Sequence, residues 1–177
     1  MKKLSISLVS CLLVAVMSCS SVYDVSYDYD KQTNFGGLKT YNWLPKPPEA
    51  EIDSLNLERI RNAVNAQLES RGLRISSENP DFLIATHAGQ KKQTIIIDRG
   101  YGSGPYWGAW GGGPVKTYSY EEGTLILDFV DAESKNLIWR GSARAALNPA
   151  TTPEKKEKLI SEAVEKILKN FPPVFPR

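Results

Sequence analysis

The first element after residue 21 shows alternating apolar and polar side chains. Its apolar face is formed by Tyr23, Val25, Tyr27 and Tyr29. A period of two is typical of a strand with one buried face. A second extended segment is predicted over residues 38–44, where β-prone residues run into the prolines that begin at Pro45.

From Asp53 onward, hydrophobic residues recur at the spacing of an α-helix. The apolar stripe consists of Leu57, Ile60, Val64 and Leu68. Asp53 or Ser54 is the candidate N-cap, and Gly72 is placed to end the helix. A stripe of this kind must be buried against another element.

Strands and one more helix are predicted in the rest of the chain. The segments are a strand over residues 81–93 that continues into 94–97, a hairpin with strands at 123–130 and 137–146, and a helix over 153–170. Together they predict a single α+β domain over residues 22–171, with a twisted, mostly antiparallel sheet and two helices packed on one face. Residues 172–177 form a proline-rich tail.

The first 18 residues have the features of a bacterial export signal. Lys2 and Lys3 precede an apolar run that is shorter than the roughly 20 residues needed to span a bilayer. The sequence VMSC at residues 16–19 resembles the lipobox, in which a peptidase cuts before a cysteine whose thiol carries diacylglycerol. We therefore expect acyl chains, palmitate among them, on Cys19, followed by a tether of only residues 19–21. The alternative is ordinary signal cleavage, which leaves Cys19 as a free thiol.

The cysteine content agrees with lipid attachment. Cys11 lies inside the signal, so Cys19 is the one cysteine of the mature chain and no internal disulfide can form. Acyl chains at ~0.8 kcal/mol per buried methylene would hold the protein on a bilayer. Ser20 and Ser21 stand where an aspartate would signal inner-membrane retention, by resemblance to enterobacterial sorting rules. The expected location is the bacterial cell envelope, at the outer membrane.

The charge balance excludes one class of partner. Removal of Lys2 and Lys3 takes the basic count from 22 to 20, against 20 acidic residues. A formally neutral mature chain is not a general nucleic-acid binder, since such proteins gain affinity by neutralising phosphates. The hydrophobic content of 41% also excludes intrinsic disorder as the overall state.

Candidate catalytic residues are few. His87 is the one histidine and lies on a predicted strand, without the partners that a triad or a histidine-based zinc site requires. Asp28 and Asp30 belong to an acidic cluster near the N-terminus, but Thr33 and Lys39 replace the glycine and glutamate of a calcium loop. We therefore expect no catalytic residue, no metal and no cofactor.

Residues 100–113, GYGSGPYWGAWGGG, have the most unusual composition. Seven of these fourteen residues are glycine, and the aromatic side chains between them are Tyr101, Tyr106, Trp107 and Trp110. A dinucleotide fingerprint is rejected because Trp107 stands where a glycine is required and a strand follows. A flexible insertion between strands is expected, and contact of the four aromatics with lipid headgroups, glycan or another protein is the alternative.

Several spaced motifs resemble one known family. They are VSYDYD at 25–30, Phe35, TYNWLP at 40–45, NPDFLI at 79–84, GTLILD at 123–128 and LIWRG at 137–141. This pattern is similar to domain of unknown function family 4136, whose members are small bacterial lipoproteins. The resemblance implies an envelope location and an α+β fold, and it supplies no activity and no catalytic residues.

The function expected from the sequence is a non-enzymatic envelope lipoprotein. Its domain would bind or scaffold a partner at the lipid bilayer, either an envelope protein or a glycan. One alternative is a carboxylate-dependent hydrolase of envelope glycan or peptide, which requires two carboxyl groups in one pocket, at least one with a raised pKa. A second alternative is a carrier of a small apolar ligand, which requires an apolar cavity between sheet and helices.

Overall fold

A computed structural model describes residues 22–45, 52–97, 116–148 and 151–173. Within these ranges lie six strands and two α-helices. The strands are β1 (Val22–Tyr29), β2 (Thr40–Trp43), β3 (Arg74–Ile75), β4 (Phe82–Ile97), β5 (Lys116–Asp131) and β6 (Leu137–Leu147), and the helices are α1 (Ser54–Glu69) and α2 (Pro153–Leu168). The predicted signal, Cys19 and the glycine-rich segment at 100–113 lie outside these ranges.

The strands form one mixed sheet in the order β1-β6-β5-β4-β2-β3. Neighbours from β1 to β4 pair antiparallel, whereas β2 pairs parallel with both β4 and β3. The expectation of a mostly antiparallel sheet was wrong in this respect, because α1 carries the chain back so that β3 and β4 run in the direction of β2. The α+β class and the single domain are confirmed.

The helix boundaries agree with the capping residues in the sequence. The Asp53 carboxylate accepts a hydrogen bond from the backbone N–H of Asn56 at 2.9 Å, so it is the N-cap of α1. Thr152 caps α2, with Pro153 as its first residue. Gly72 follows α1 with a φ of +84°, a conformation that glycine adopts without strain.

Two strands differ from their predicted form. β5 begins at Lys116 instead of 123 because its first residues pair with the far end of β4. In β1, Asp24 has a φ of 51° and the register shifts between Tyr23 and Val25, so the alternation is broken at that point. Val25 and Tyr27 remain exposed because β1 is the edge strand.

The two helices pack side by side on one face of the sheet, here called the inner face. Their buried residues include Ile60, Val64 and Leu68 from α1 and Val164, Ile167 and Leu168 from α2. Removal of these stripes from water is the main favourable contribution to folding. No helix among the described residues has the length and apolar character required to cross a membrane.

An aromatic cluster fills one end of the space between helices and sheet. Phe171, just after α2, lies edge-to-face against Phe129 with ring centroids 4.6 Å apart. Phe129 in turn contacts Phe82 at 5.0 Å and Trp139 at 4.9 Å. Trp139 is fully buried, whereas Trp43 is half-buried and donates its indole N–H to Asn65.

Gly141 allows the side chains at this aromatic end to pack closely. A Cβ placed on Gly141 would overlap the indole of Trp139 and lie 2.6 Å from Cγ2 of Ile167. The absence of a side chain at this position therefore leaves room for the Trp139 ring and for Ile167 of α2 to pack over Gly141.

We expect Gly141→Ala to lower the free energy of unfolding by about 1–3 kcal/mol, because two buried side chains must move. Urea denaturation measures this loss. Gly89→Ala on β4 is the matched control, since a Cβ there meets nothing within 4 Å and the change should be neutral or slightly stabilising. Equal stability of the two variants would contradict the packing described.

Candidate functional site

A cavity of about 380 Å³ lies between the helices and the sheet, at the end opposite the aromatic cluster. The N-terminal halves of α1 and α2 cover it, and β4, β5 and β6 form its floor. Its apolar lining includes Ile60, Leu125, Ala143, Leu159, Ile160 and Ala163. This is the apolar cavity between sheet and helices that a carrier of a small ligand requires.

The side chains on the sheet become smaller toward the cavity. Along the inner face of β6, the sequence passes from Trp139 through Gly141 to Ala143 and Ala145. On β5 the positions opposite these residues end at Gly123, which pairs with Ala145. The space over Gly123 is filled by the Leu147 side chain. The short side chains of Ala143 and Ala145 leave volume between the floor and the helices, and this volume is the cavity.

Polar residues lie at the mouth of the cavity. Asp53, Gln90, Asn148 and Lys156 line it and are exposed, whereas Ile60, Leu125 and Ala143 are buried. The cavity therefore has an apolar interior and a polar rim. A ligand with an apolar body and a polar end fits this distribution.

The carboxyl groups at the cavity are Asp53 and Glu121. The Asp53 carboxylate accepts hydrogen bonds from the backbone N–H and the side-chain amide of Asn56, at 2.9 and 2.7 Å. It is thus held in place as a helix cap. An acid–base pair needs a carboxyl group that is free to exchange a proton with a substrate.

Three described carboxyl groups have a clearly displaced pKa, and each is displaced downward. Hydrogen bonds from the backbone N–H and hydroxyl of Ser134 lower the pKa of Asp131. Hydrogen bonds at the start of α2, from its own N–H and from Thr152, lower that of Glu154. Burial raises the pKa of Asp81, but hydrogen bonds from Lys39 and Thr40 outweigh it and the net pKa is lowered. These groups serve turns and caps, whereas a general acid requires a raised pKa.

Tyr41 is the described tyrosine with a displaced pKa. Burial, with a smaller effect of the Glu69 charge, raises the pKa of Tyr41 to about 12. Its hydroxyl donates to Oδ1 of Asn65 at 3.0 Å, the atom that also accepts from Trp43. The arrangement fastens β2 to α1 and leaves the phenol protonated at neutral pH.

A second polar cluster lies on the outer face of the sheet, the face opposite the helices. Asp128 is only 5% exposed, and both of its oxygens accept from the Arg140 guanidinium at 2.6 Å. His87 Nε2 lies 3.3 Å from Oδ2 of Asp128, and the hydrogen bonds to Asp128 raise the pKa of Arg140. Both oxygens of this buried carboxylate are thus occupied by its bidentate pairing with Arg140.

The predicted acidic cluster does not converge on one site. Asp24 pairs with Arg144 at 3.1 Å, and Asp28 lies opposite Arg140 in the β1–β6 register. Asp30 accepts hydrogen bonds from the turn residues Gln32 and Thr33. In the part of the chain that the structure describes, no group of three His, Cys, Asp or Glu side chains is placed to hold a metal ion.

Sequence reasoning missed the cavity and the Asp128–Arg140 pair. The pair had a signal, because residues 128 and 140 carry opposite charges and lie on the two strands of the predicted hairpin, on either side of the turn at 131–136. The predicted lipid site at Cys19 and the predicted contact residues Tyr101, Tyr106, Trp107 and Trp110 lie outside the described residues.

The sequence profile of a domain of unknown function, DUF4136, matches residues 25–173. The chain therefore belongs to the DUF4136 family. No curated protein sequence matches it.

Among solved structures, the chain is similar to a PDZ domain protein from Parabacteroides distasonis, at 14% identity and a TM-score of 0.56, over 88% of this chain and 36% of that one. A PelC dodecamer from Paraburkholderia phytofirmans matches at 11% identity and a TM-score of 0.47, over 82% and 94% of the two chains. A neuraminyllactose-binding hemagglutinin homologue from Helicobacter pylori matches at 18% and 0.40, over 81% and 88%. The first likeness shows the fold alone, and this chain spans about a third of that protein.

Asp81 provides a test of the structural role of the displaced carboxyl groups. Its Oδ2 accepts from Lys39 N at 2.8 Å, Thr40 N at 2.7 Å and Thr40 Oγ1 at 2.9 Å, which joins β2 to the start of β4. Asp81→Asn places an amide in a site built for a carboxylate, and we expect a loss of about 1–3 kcal/mol in the free energy of unfolding at pH 7.

The direction of the pKa shift of Asp81 determines how its contribution to stability changes with pH. Because the pKa of Asp81 is lowered in the folded protein, its contribution is present above the ordinary carboxyl pKa and is lost as pH falls through the lowered value. Urea denaturation at several pH values should show the difference between Asp81→Asn and the wild type shrinking toward acid. Glu133→Gln, at an exposed turn position, is the control and should change little. A pH-independent difference would contradict the assignment.

Proposed function

We propose that this protein is a non-enzymatic, lipid-anchored protein of the bacterial envelope whose domain binds a small apolar ligand in the cavity. The observation that carries the proposal is the cavity itself, which is apolar inside, polar at its mouth and about 380 Å³ in volume. Small-molecule sites in proteins fall in the range of roughly 300–1,000 Å³ and have this distribution of polar groups.

The start of β1 supports the anchoring part of the proposal. Val22 is buried, pairs with Ala145 of β6 and accepts a hydrogen bond from Lys166 through its carbonyl. Cys19 precedes Val22 by three residues, which span at most about 10 Å. Acyl groups on Cys19 would therefore hold the domain directly at a membrane surface.

The carboxylate hydrolase has less support. Its two carboxyl groups would have to act in the cavity, where Asp53 already caps α1. A membrane-held binding domain uses the same cavity without requiring proton transfer. We therefore place ligand binding ahead of hydrolysis.

Contact with an envelope protein or glycan is the second candidate, and the β4–β5 ribbon favours it. β6 pairs with β5 only as far as Glu121, whereas β4 and β5 continue to pair up to Ile97 and Lys116. Five more paired positions extend the ribbon by about 17 Å. In the sequence this ribbon leads to the aromatic residues at 101, 106, 107 and 110, which are the proposed contact residues.

Ala145→Phe tests ligand binding, since Ala145 lines the cavity and a phenyl group would occupy it. We expect the affinity for the fluorescent apolar probe N-phenyl-1-naphthylamine to fall at least tenfold, while circular dichroism shows a folded protein. Ala146→Phe, at the next and exposed position of β6, is the control and should bind as the wild type does.

Ala88→Phe, which enters the cavity from β4, serves as a second filling variant if Ala145→Phe is unstable. Probe binding that is unchanged in a folded filling variant would exclude the cavity as the binding site.

Cys19→Ser tests the anchor. We expect the wild-type protein to be found in the membrane fraction with the mass of a diacylglyceryl or triacyl group, and the variant to lack that mass, because serine has no thiol to form the thioether. Cys11→Ser removes the cysteine within the signal and should leave lipidation intact. A mature N-terminus without fatty acid on the wild-type protein would overturn the anchor.

A further inference from the structure

The cavity lies at the end of the sheet where β1 begins. Val22, the first described residue, pairs with Ala145, and Ala145 lines the cavity. Cys19 stands three residues earlier, within about 10 Å of chain length. If the proposed function holds, acyl groups on Cys19 and the bilayer that receives them are both next to the cavity.

The apolar lining is wholly aliphatic. Isoleucine, leucine and alanine side chains supply it, and no aromatic residue is among the described residues that line the cavity. The rings of Phe82, Phe129, Trp139 and Phe171 are gathered at the other end of the core. Flat ring systems gain affinity from stacking on aromatic side chains, which this lining does not offer. A flexible alkyl chain gains affinity from aliphatic burial alone.

The cavity is also closed at its inner end. The next layer of the core consists of Leu127, Gly141 and Ile167, and Leu127 and Ile167 are fully buried while Trp139 and Ile167 leave no room for a side chain at Gly141. On β5 the lining runs from Glu121 to Leu125, about 14 Å of strand. A ligand must therefore be of limited length and have its polar end at the rim.

We propose that the cavity binds a single unbranched acyl chain, with its polar end at the rim formed by Asp53, Gln90 and Lys156. This inference rests on the proposed function and names the ligand class of the same site. The chain belongs either to the lipid on Cys19 or to a lipid of the adjacent bilayer, and both sources have the same chemistry.

Chain-length dependence tests the ligand class. Straight-chain fatty acids of 6 to 16 carbons, each below its critical micelle concentration, compete with N-phenyl-1-naphthylamine for the unlipidated mature chain, residues 19–177. We expect affinity to rise about fourfold per added methylene until the chain fills the cavity, and then to level off. Affinity independent of chain length, or displacement by pyrene as strong as by the best chain, would overturn the proposal.

The lipidated protein distinguishes the two sources. If the chain on Cys19 occupies the cavity, lipidated protein should bind the best fatty acid at least tenfold more weakly than the unlipidated chain. If a bilayer lipid occupies it, the two forms should bind equally, and native mass spectrometry should show an added non-covalent lipid. Either result supports an acyl-chain site, and binding by neither form contradicts it.

Ala145→Phe and its control Ala146→Phe complete the test. The first should abolish the chain-length dependence and the second should retain it. Probe binding without displacement by any fatty acid would defeat the acyl-chain proposal and leave the proposed function standing. Absence of binding by both the probe and the fatty acids would defeat both.

Discussion

The register between β5 and β6 is the constraint on which the rest of the structure depends. It sets Phe129 opposite Trp139 on the inner face and Asp128 opposite Arg140 on the outer face. A slip of β6 by one residue would move Arg140 under the helices and Trp139 into water. Burial of an unpaired charge costs several kcal/mol, so the ion pair and the aromatic cluster specify the same alignment.

The same register decides where the core is full and where it is not. At the aromatic end, the large side chains of Trp139 and Ile167 pack over Gly141 and fill the space there. At the other end, Leu147 fills the space over Gly123, but Ala143 and Ala145 of β6 carry short side chains. Interiors are normally packed as densely as organic crystals, and a row of small residues beneath two helices departs from that rule. The cavity follows from this local choice of side-chain volumes.

Local patterns predicted the helices and most strands, because capping residues and periods of 3.6 and 2 are properties of short segments. Asp53 and Thr152 are N-caps, and Gly72 follows α1 with a positive φ, as their residue types indicate. β3 was missed because two residues show no period, and the parallel pairs of β2 were missed because direction within a sheet is not a local property. The cavity depends on Ala143 and Ala145 lying beneath residues of α1 and α2 such as Ile60 and Ala163, which are distant in sequence and adjacent only in the fold. No segment of sequence could have shown it.

An acyl-chain ligand would supply the apolar contacts that the small residues of the cavity do not. The interior would then be completed by a group from the membrane, and the folded state would be stabilised in proportion to occupancy. A ligand at 100 times its dissociation constant adds about 2.7 kcal/mol to the free energy of unfolding, a large share of the 5–15 kcal/mol typical of a domain. Because Val22 pairs with Ala145 at the cavity floor, acyl chains on Cys19 would be concentrated near the cavity if the proposed anchor holds. Attachment to the bilayer and filling of the cavity would then both follow from the position of Cys19, three residues before Val22.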